Sequence, residues 1–201
     1  DGNLGVSGRV FSDVLGEWGS DYESDLAWHE ELAVRVGGGF AFSREDINAG
    51  PVEASRQLVV DSGAGLTTIL PAGADAYSVA LFALSADFRV QGWSLSTEYY
   101  FRNLSDFSGA AVPDLFDHGF LLQGGCFIIP KKVELMARWS RIVGDSGSLG
   151  AGDQSADEIA GGIAWYLKGR NLKLLFDVTQ VNGAPVRDSA VGLLPGDDGL
   201  L

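Results

Sequence analysis

The stretch WSLSTEYYFR, residues 93–102, alternates apolar and polar side chains with a period of two. Successive side chains of a β-strand point to opposite faces of a sheet. One face of this stretch carries Trp93, Leu95, Thr97, Tyr99 and Phe101, and the other carries serine, glutamate, tyrosine and arginine. The pattern predicts a strand that is apolar on one face and polar on the other.

The same alternation recurs along the chain, and no segment shows a sustained apolar stripe of helical period. Short connections that hold Gly, Pro or Asn alternate with long polar links, as in an antiparallel meander. We therefore predict an all-β fold of about eight strands. The strands lie near 4–14, 31–42, 78–90, 93–102, 118–129, 133–140, 157–168 and 171–180; the short connections are 91–92, 130–132 and 168–171, and the long links 44–75, 104–117, 144–156 and 182–199.

The composition excludes several classes of protein. The 201 residues include 27 Asp and Glu against 14 Lys and Arg, a net charge of −13, which disfavours nucleic-acid binding. The single cysteine excludes an internal disulfide framework. His29 and His118 are predicted to be polar surface residues, and no nucleophile elbow, P-loop or dinucleotide fingerprint is present. We predict neither catalysis nor a cofactor.

The apolar–polar alternation alone does not determine whether the apolar face packs inside a soluble protein or contacts lipid. In a soluble, lipocalin-like barrel that binds an apolar ligand, this face turns inward. In an outer-membrane barrel it turns outward to lipid, and the polar face lines a lumen. Three features favour the membrane: strands of about ten residues, aromatic residues near both strand ends, and charges of both signs on the polar faces.

The polar faces supply the candidate pore-lining residues, and the apolar faces supply two candidate aromatic belts at the lipid–water interfaces. The pore-lining candidates are the cations Arg9, Arg35, Arg89, Arg102, Arg138 and Lys173 and the acids Glu31, Asp87, Glu98, Glu134 and Asp177. The belt candidates are Phe42, Phe88, Trp93, Tyr99, Phe101, Trp139 and Trp165.

Two stretches resemble the C-terminal half of the phosphate-selective porin O and P family: VPDLFDHGFLLQGGCFIIPKKVELMARWSRI at 112–142 and DEIAGGIAWYLKGRNLKLLFDVTQVNGAP at 157–185. The N-terminal GRVFSDVLG and DYESDLAWHE are similar to the family as well. The resemblance implies about half of a 16-stranded, homotrimeric porin in the bacterial outer membrane, contacting lipid and passing small hydrophilic solutes or anions. Residues 1–201 are then one partial transmembrane barrel domain that lacks the closing C-terminal strand.

The charges add two expectations and one alternative. Acids alternate with cations on the same faces, which favours general diffusion over phosphate selectivity. The short connections are basic and the long links are acidic. The link at 15–29 is an exception: by strand order it lies at the end of the sheet that holds the short connections, called the short-turn end, yet it is long and acidic. The 44–75 link is predicted to fold inward as a constriction. The alternative to a porin is a structural or adhesive outer-membrane barrel without an open pore.

Overall fold

The computed structural model describes residues 5–19, 24–46, 72–144, 155–182 and 199–200. These residues form nine strands, and each of the eight predicted strands is present. The strands are β1 (Val6–Leu15), β2 (Ala33–Asp46), β3 (Ala76–Val90), β4 (Trp93–Ser108), β5 (Leu115–Ile129), β6 (Val133–Val143), β7 (Ser155–Tyr166), β8 (Lys173–Asn182) and a short β9 (Gly199–Leu200).

Every strand pairs with its neighbour in the chain, and every pairing is antiparallel, which confirms the all-β meander. Among the described residues the sheet is not closed into a barrel, because β1 pairs only with β2 and β9 only with β8. The described part of the chain contains no helix that is long and apolar enough to cross a membrane.

The connections follow the predicted alternation with one correction. The turn between β3 and β4 is made by Gln91 and Gly92, both with positive φ, and the β5–β6 turn is 130–132. The predicted link at 104–117 is wrong in extent, since β4 runs to Ser108 and β5 begins at Leu115. Leu104 and Leu115 face each other in the ladder, so apolar pairing extends both strands beyond the predicted boundaries. The predicted constriction in 44–75 falls largely outside the described residues.

The register separates the sheet into an apolar face and a polar face. Leu95 lies between Phe88 and Gly124, while the next residue, Ser96, lies between Asp87 and Gln123. Most large apolar side chains of the described strands lie on the apolar face, and many of them are exposed, such as Trp93 at 62%. Exposed apolar area of this extent is not stable in water without a covering phase or partner.

The polar face is the concave side of the sheet. Arg9 on β1 reaches across two intervening strands to Glu98 on β4, with 3.9 Å between Nη2 and Oε1. The link between β1 and β2 also crosses the sheet on this side, and its Ser24 reaches Tyr166 on β7. Contacts that pass over intervening strands require the sheet to curve toward this face. The polar face is called the inner face below, and the apolar face the outer face.

Candidate functional site

Ion pairs between strands dominate the inner face. Arg35 Nε donates to Asp13 Oδ1 over 2.7 Å, from β2 to its register partner on β1. The guanidinium of Arg102 pairs with Asp117 across β4 and β5. Together with Arg9–Glu98 and Arg138–Glu158, four predicted pore-lining arginines therefore have a carboxylate partner. The polar face is a cross-strand ladder of opposite charges and not an uncompensated row of cations.

Ten of the eleven predicted pore-lining residues lie on the inner face by register; they are Arg9, Arg35, Arg89, Arg102, Arg138, Lys173, Asp87, Glu98, Glu134 and Asp177. Glu31 is the exception. The alternation was extended back to Glu31, but β2 begins at Ala33, and Glu31 is an exposed residue of the preceding link. The placement of Glu31 on a strand face was wrong.

All seven predicted belt aromatics lie on the outer face by register; they are Phe42, Phe88, Trp93, Tyr99, Phe101, Trp139 and Trp165. The rings of Phe82 and Phe101 stack at 5.0 Å between centroids, and Phe120 meets Trp139 edge-on at 4.7 Å. His118 was predicted to be a polar surface residue, but it lies in this cluster, 5.8 Å from the Phe116 ring.

The acidic link at 15–29 folds over the short-turn end of the sheet. The structure shows a connection at 16–32, and Asp25 anchors it with no exposed surface. Asp25 Oδ2 accepts the backbone N–H of Gly92 at 2.8 Å, and both carboxylate oxygens accept the N–H of His29 at 3.1 Å. Gly92 is required here, because a Cβ would lie 2.4 Å from the Trp28 ring. The anchor therefore joins the link to the β3–β4 turn.

His29 extends the same anchor, so its predicted surface position was wrong. Its Nδ1 lies 2.5 Å from Asp25 Oδ1, and its Nε2 lies 3.2 Å from the carbonyl oxygen of Trp18. Both ring nitrogens face acceptors.

Trp18 fixes the beginning of the link against the inner wall. Its side chain is only 5% exposed, and the guanidinium carbon of Arg89 lies 3.9 Å from its ring centroid. Arg35 approaches the same ring at 5.2 Å. A guanidinium over an indole face is attracted by the ring quadrupole, more strongly where water is excluded. Arg89 therefore holds the link in place instead of facing an open lumen.

Ser24, in the middle of the 16–32 link, reaches β7 through a network of hydroxyl and carboxylate groups. Tyr166 Oη lies 3.2 Å from Ser24 Oγ and donates to Glu134 Oε2 at 2.6 Å. Glu134 is 1% exposed and lies over Gly125, where a Cβ would be only 2.4 Å from Oε1. The glycine in this strand therefore makes room for a buried carboxylate.

A cavity of about 440 Å³ lies between the link and the inner wall. Hydroxyl, amide, carboxyl and cationic groups line it together with apolar carbon surface, which makes up the larger part of the lining. Its lining side chains include Ser24, Leu26, Ser94, Ser96, Gln123, Glu134, Met136, Tyr166, Arg170, Asn171 and Lys173. This volume falls within the range of small-molecule binding sites.

The period-two pattern located the strand faces but not the residues that fasten the link. Asp25, Trp18 and Tyr166 contact partners 67, 71 and 142 positions away in the chain, and such distances leave no local pattern. One signal was present in the sequence: a long acidic link lies at the end of the sheet where short basic connections were expected, and no predicted feature accounted for it.

The site combines a charged concave wall, a segment folded across one end, and a cavity between them that both polar and apolar groups line. Comparisons of the chain with protein-family models, curated proteins and solved structures gave no match.

Proposed function

We propose that this chain forms part of an outer-membrane porin through which small hydrophilic solutes and ions diffuse passively. The observation that carries the proposal is the division of the sheet into a concave, charged face and a convex, exposed apolar face. A water-filled lumen inside a lipid-embedded barrel needs this arrangement. A soluble lipocalin-like barrel needs the reverse, with Trp93 and Leu95 inside, whereas these side chains are 62% and 41% exposed.

The ion-pair ladder supports weak ionic selectivity. Each paired arginine has a carboxylate close by. The paired charges create an electric field across the pore, and they give little net attraction for ions of one sign. A preference for phosphate needs accessible cations without such partners. General diffusion is therefore the better-supported form of the proposal, with the bacterial outer membrane as its location and a homotrimer as its expected assembly.

A second candidate is a structural or adhesive barrel without an open pore. The observation that favours it is the 16–32 link, which crosses the short-turn end from Trp18 near β2 and β3 to Tyr166 on β7. This candidate has the same fold and the same faces. The difference between the two is whether water and ions pass the link.

Conductance in planar bilayers tests the proposal. We expect the full-length protein to form open channels in potassium chloride, with a reversal potential close to zero in a salt gradient, because four inner-face arginines are paired with carboxylates. Replacing chloride by phosphate should give no tighter block. Protein that inserts but never conducts would overturn the porin and favour the structural barrel.

A further inference from the structure

We infer that the cavity under the 16–32 link is a binding subsite for a small hydroxylated monocarboxylate, the chemical class of the sugar acids. This inference rests on the proposed porin function and names a solute class for it. The cavity differs from the rest of the inner face, because the ion pairs Arg9–Glu98, Arg35–Asp13, Arg102–Asp117 and Arg138–Glu158 use none of its lining side chains.

One wall of the cavity is suited to hydroxyl groups. Ser94 and Ser96 point inward from β4, and Gln123 points inward from β5 beside Ser96. Asn171, in the turn between β7 and β8, also lines the cavity. Hydroxyl and amide side chains both donate and accept, so they satisfy neutral hydroxyls without a charge penalty. A wall of this kind discriminates poorly between simple ions but recognises a polyhydroxylated chain.

The other side of the cavity is suited to one carboxylate. Lys173 is an inner-face cation for which the described residues provide no ion pair within 4.0 Å, and its exposed ammonium lies 5.9 Å from the Tyr166 ring centroid. Arg170 lines the same side. Cations at this end attract an anionic group that carries its own hydroxyls.

Glu134 limits the ligand to a single negative charge. Its buried carboxyl group accepts the Tyr166 hydroxyl at 2.6 Å and so presents acceptor oxygens to the cavity. A second carboxylate on the ligand would meet acceptors there, and a carboxylate buried without donors is costly. Leu26 and Met136 add apolar contact suited to the carbon backbone of a sugar acid.

Block of the chloride current by glucuronate tests the subsite in the full-length protein. We expect glucuronate to block at concentrations about tenfold or more below those needed for glucose, which lacks the charge, or for acetate, which lacks the hydroxyls. Lys173→Gln should weaken the glucuronate block by about ten- to hundredfold, the effect of losing a charge-assisted hydrogen bond. Lys168→Gln removes the same charge from a neighbouring turn position that does not line the cavity, and its block should equal that of the wild type.

The outcomes separate this inference from the porin proposal. A conducting protein blocked equally by acetate, phosphate and glucuronate would overturn the subsite and leave the porin in place. A protein that does not conduct would overturn the porin. The subsite is then decided by calorimetric titration of the detergent-solubilised protein with glucuronate: binding that Lys173→Gln abolishes supports it, and the absence of binding overturns it.

Discussion

Leu84→Arg is expected to lower the free energy of unfolding in a lipid bilayer by about 2–4 kcal/mol. Leu84 is 60% exposed on the outer face of β3, beside Gly38 and Tyr99, near the middle of the apolar band. A guanidinium placed there must leave water or pull water into the hydrocarbon. Denaturant titration of the full-length protein folded into liposomes, followed by tryptophan fluorescence, measures the effect.

Ser85→Arg is the matched control, because it places the same side chain one residue later and on the opposite face. Ser85 lies beside Glu98 on the inner face, so a new arginine there meets water and a carboxylate. We expect its stability to stay within about 0.5 kcal/mol of the wild type. Equal losses for the two variants, or a larger loss for Ser85→Arg, would contradict the assignment of the faces.

Asp25→Ala is expected to detach the 16–32 link from the inner face. The substitution leaves the N–H groups of Gly92 and His29 without their acceptor, and the loss costs about 1–3 kcal/mol at the buried N–H of Gly92. Asp25 is the buried anchor that joins the link to the β3–β4 turn, so the link should open locally around it while the sheet stays folded. Cleavage by a glutamyl endopeptidase after Glu30 and Glu31 should become about tenfold faster or more.

The same variant should carry a larger single-channel conductance, because the link no longer narrows the short-turn end. Glu17→Gln is its control: it removes one negative charge from an exposed residue of the same link and should change neither cleavage nor conductance. Unchanged cleavage in Asp25→Ala would show that Asp25 does not hold the link. Faster cleavage without a larger conductance would show that the narrowest part of the pore does not lie at the link.

The strands and their faces could be predicted because the period-two alternation is a local property. Burial on one face selects apolar side chains at every second position, so the assignment of Trp93 or Lys173 to a face needs no knowledge of distant residues. The prediction failed where the apolar–polar alternation of the sequence extends beyond the end of the strand. Glu31 has the parity of Arg35, but the chain leaves the ladder before it reaches Glu31.

The link and its cavity could not be predicted, since long-range contacts create them. Asp25 looks like an ordinary loop acid, and only the fold brings it to the N–H of Gly92. The ion pairs could be predicted only in part: Arg35 was assigned to a polar face, but its pairing with Asp13 depends on the register of β1 against β2. The bulge after Asp13 shows that counting residues along β1 does not fix that register alone.

Thiol labelling in liposomes tests the central claim that the apolar face meets lipid and the polar face meets water. Cys126 is the single cysteine of the chain and lies on the outer face between Trp93 and Leu135. Ser96→Cys in a Cys126→Ser background presents a thiol on the inner face instead. We predict that a charged, membrane-impermeant methanethiosulfonate modifies the thiol at position 96 and reduces the current, and that it leaves Cys126 unmodified in the wild type. Modification of Cys126 with no reaction at position 96 would contradict the account.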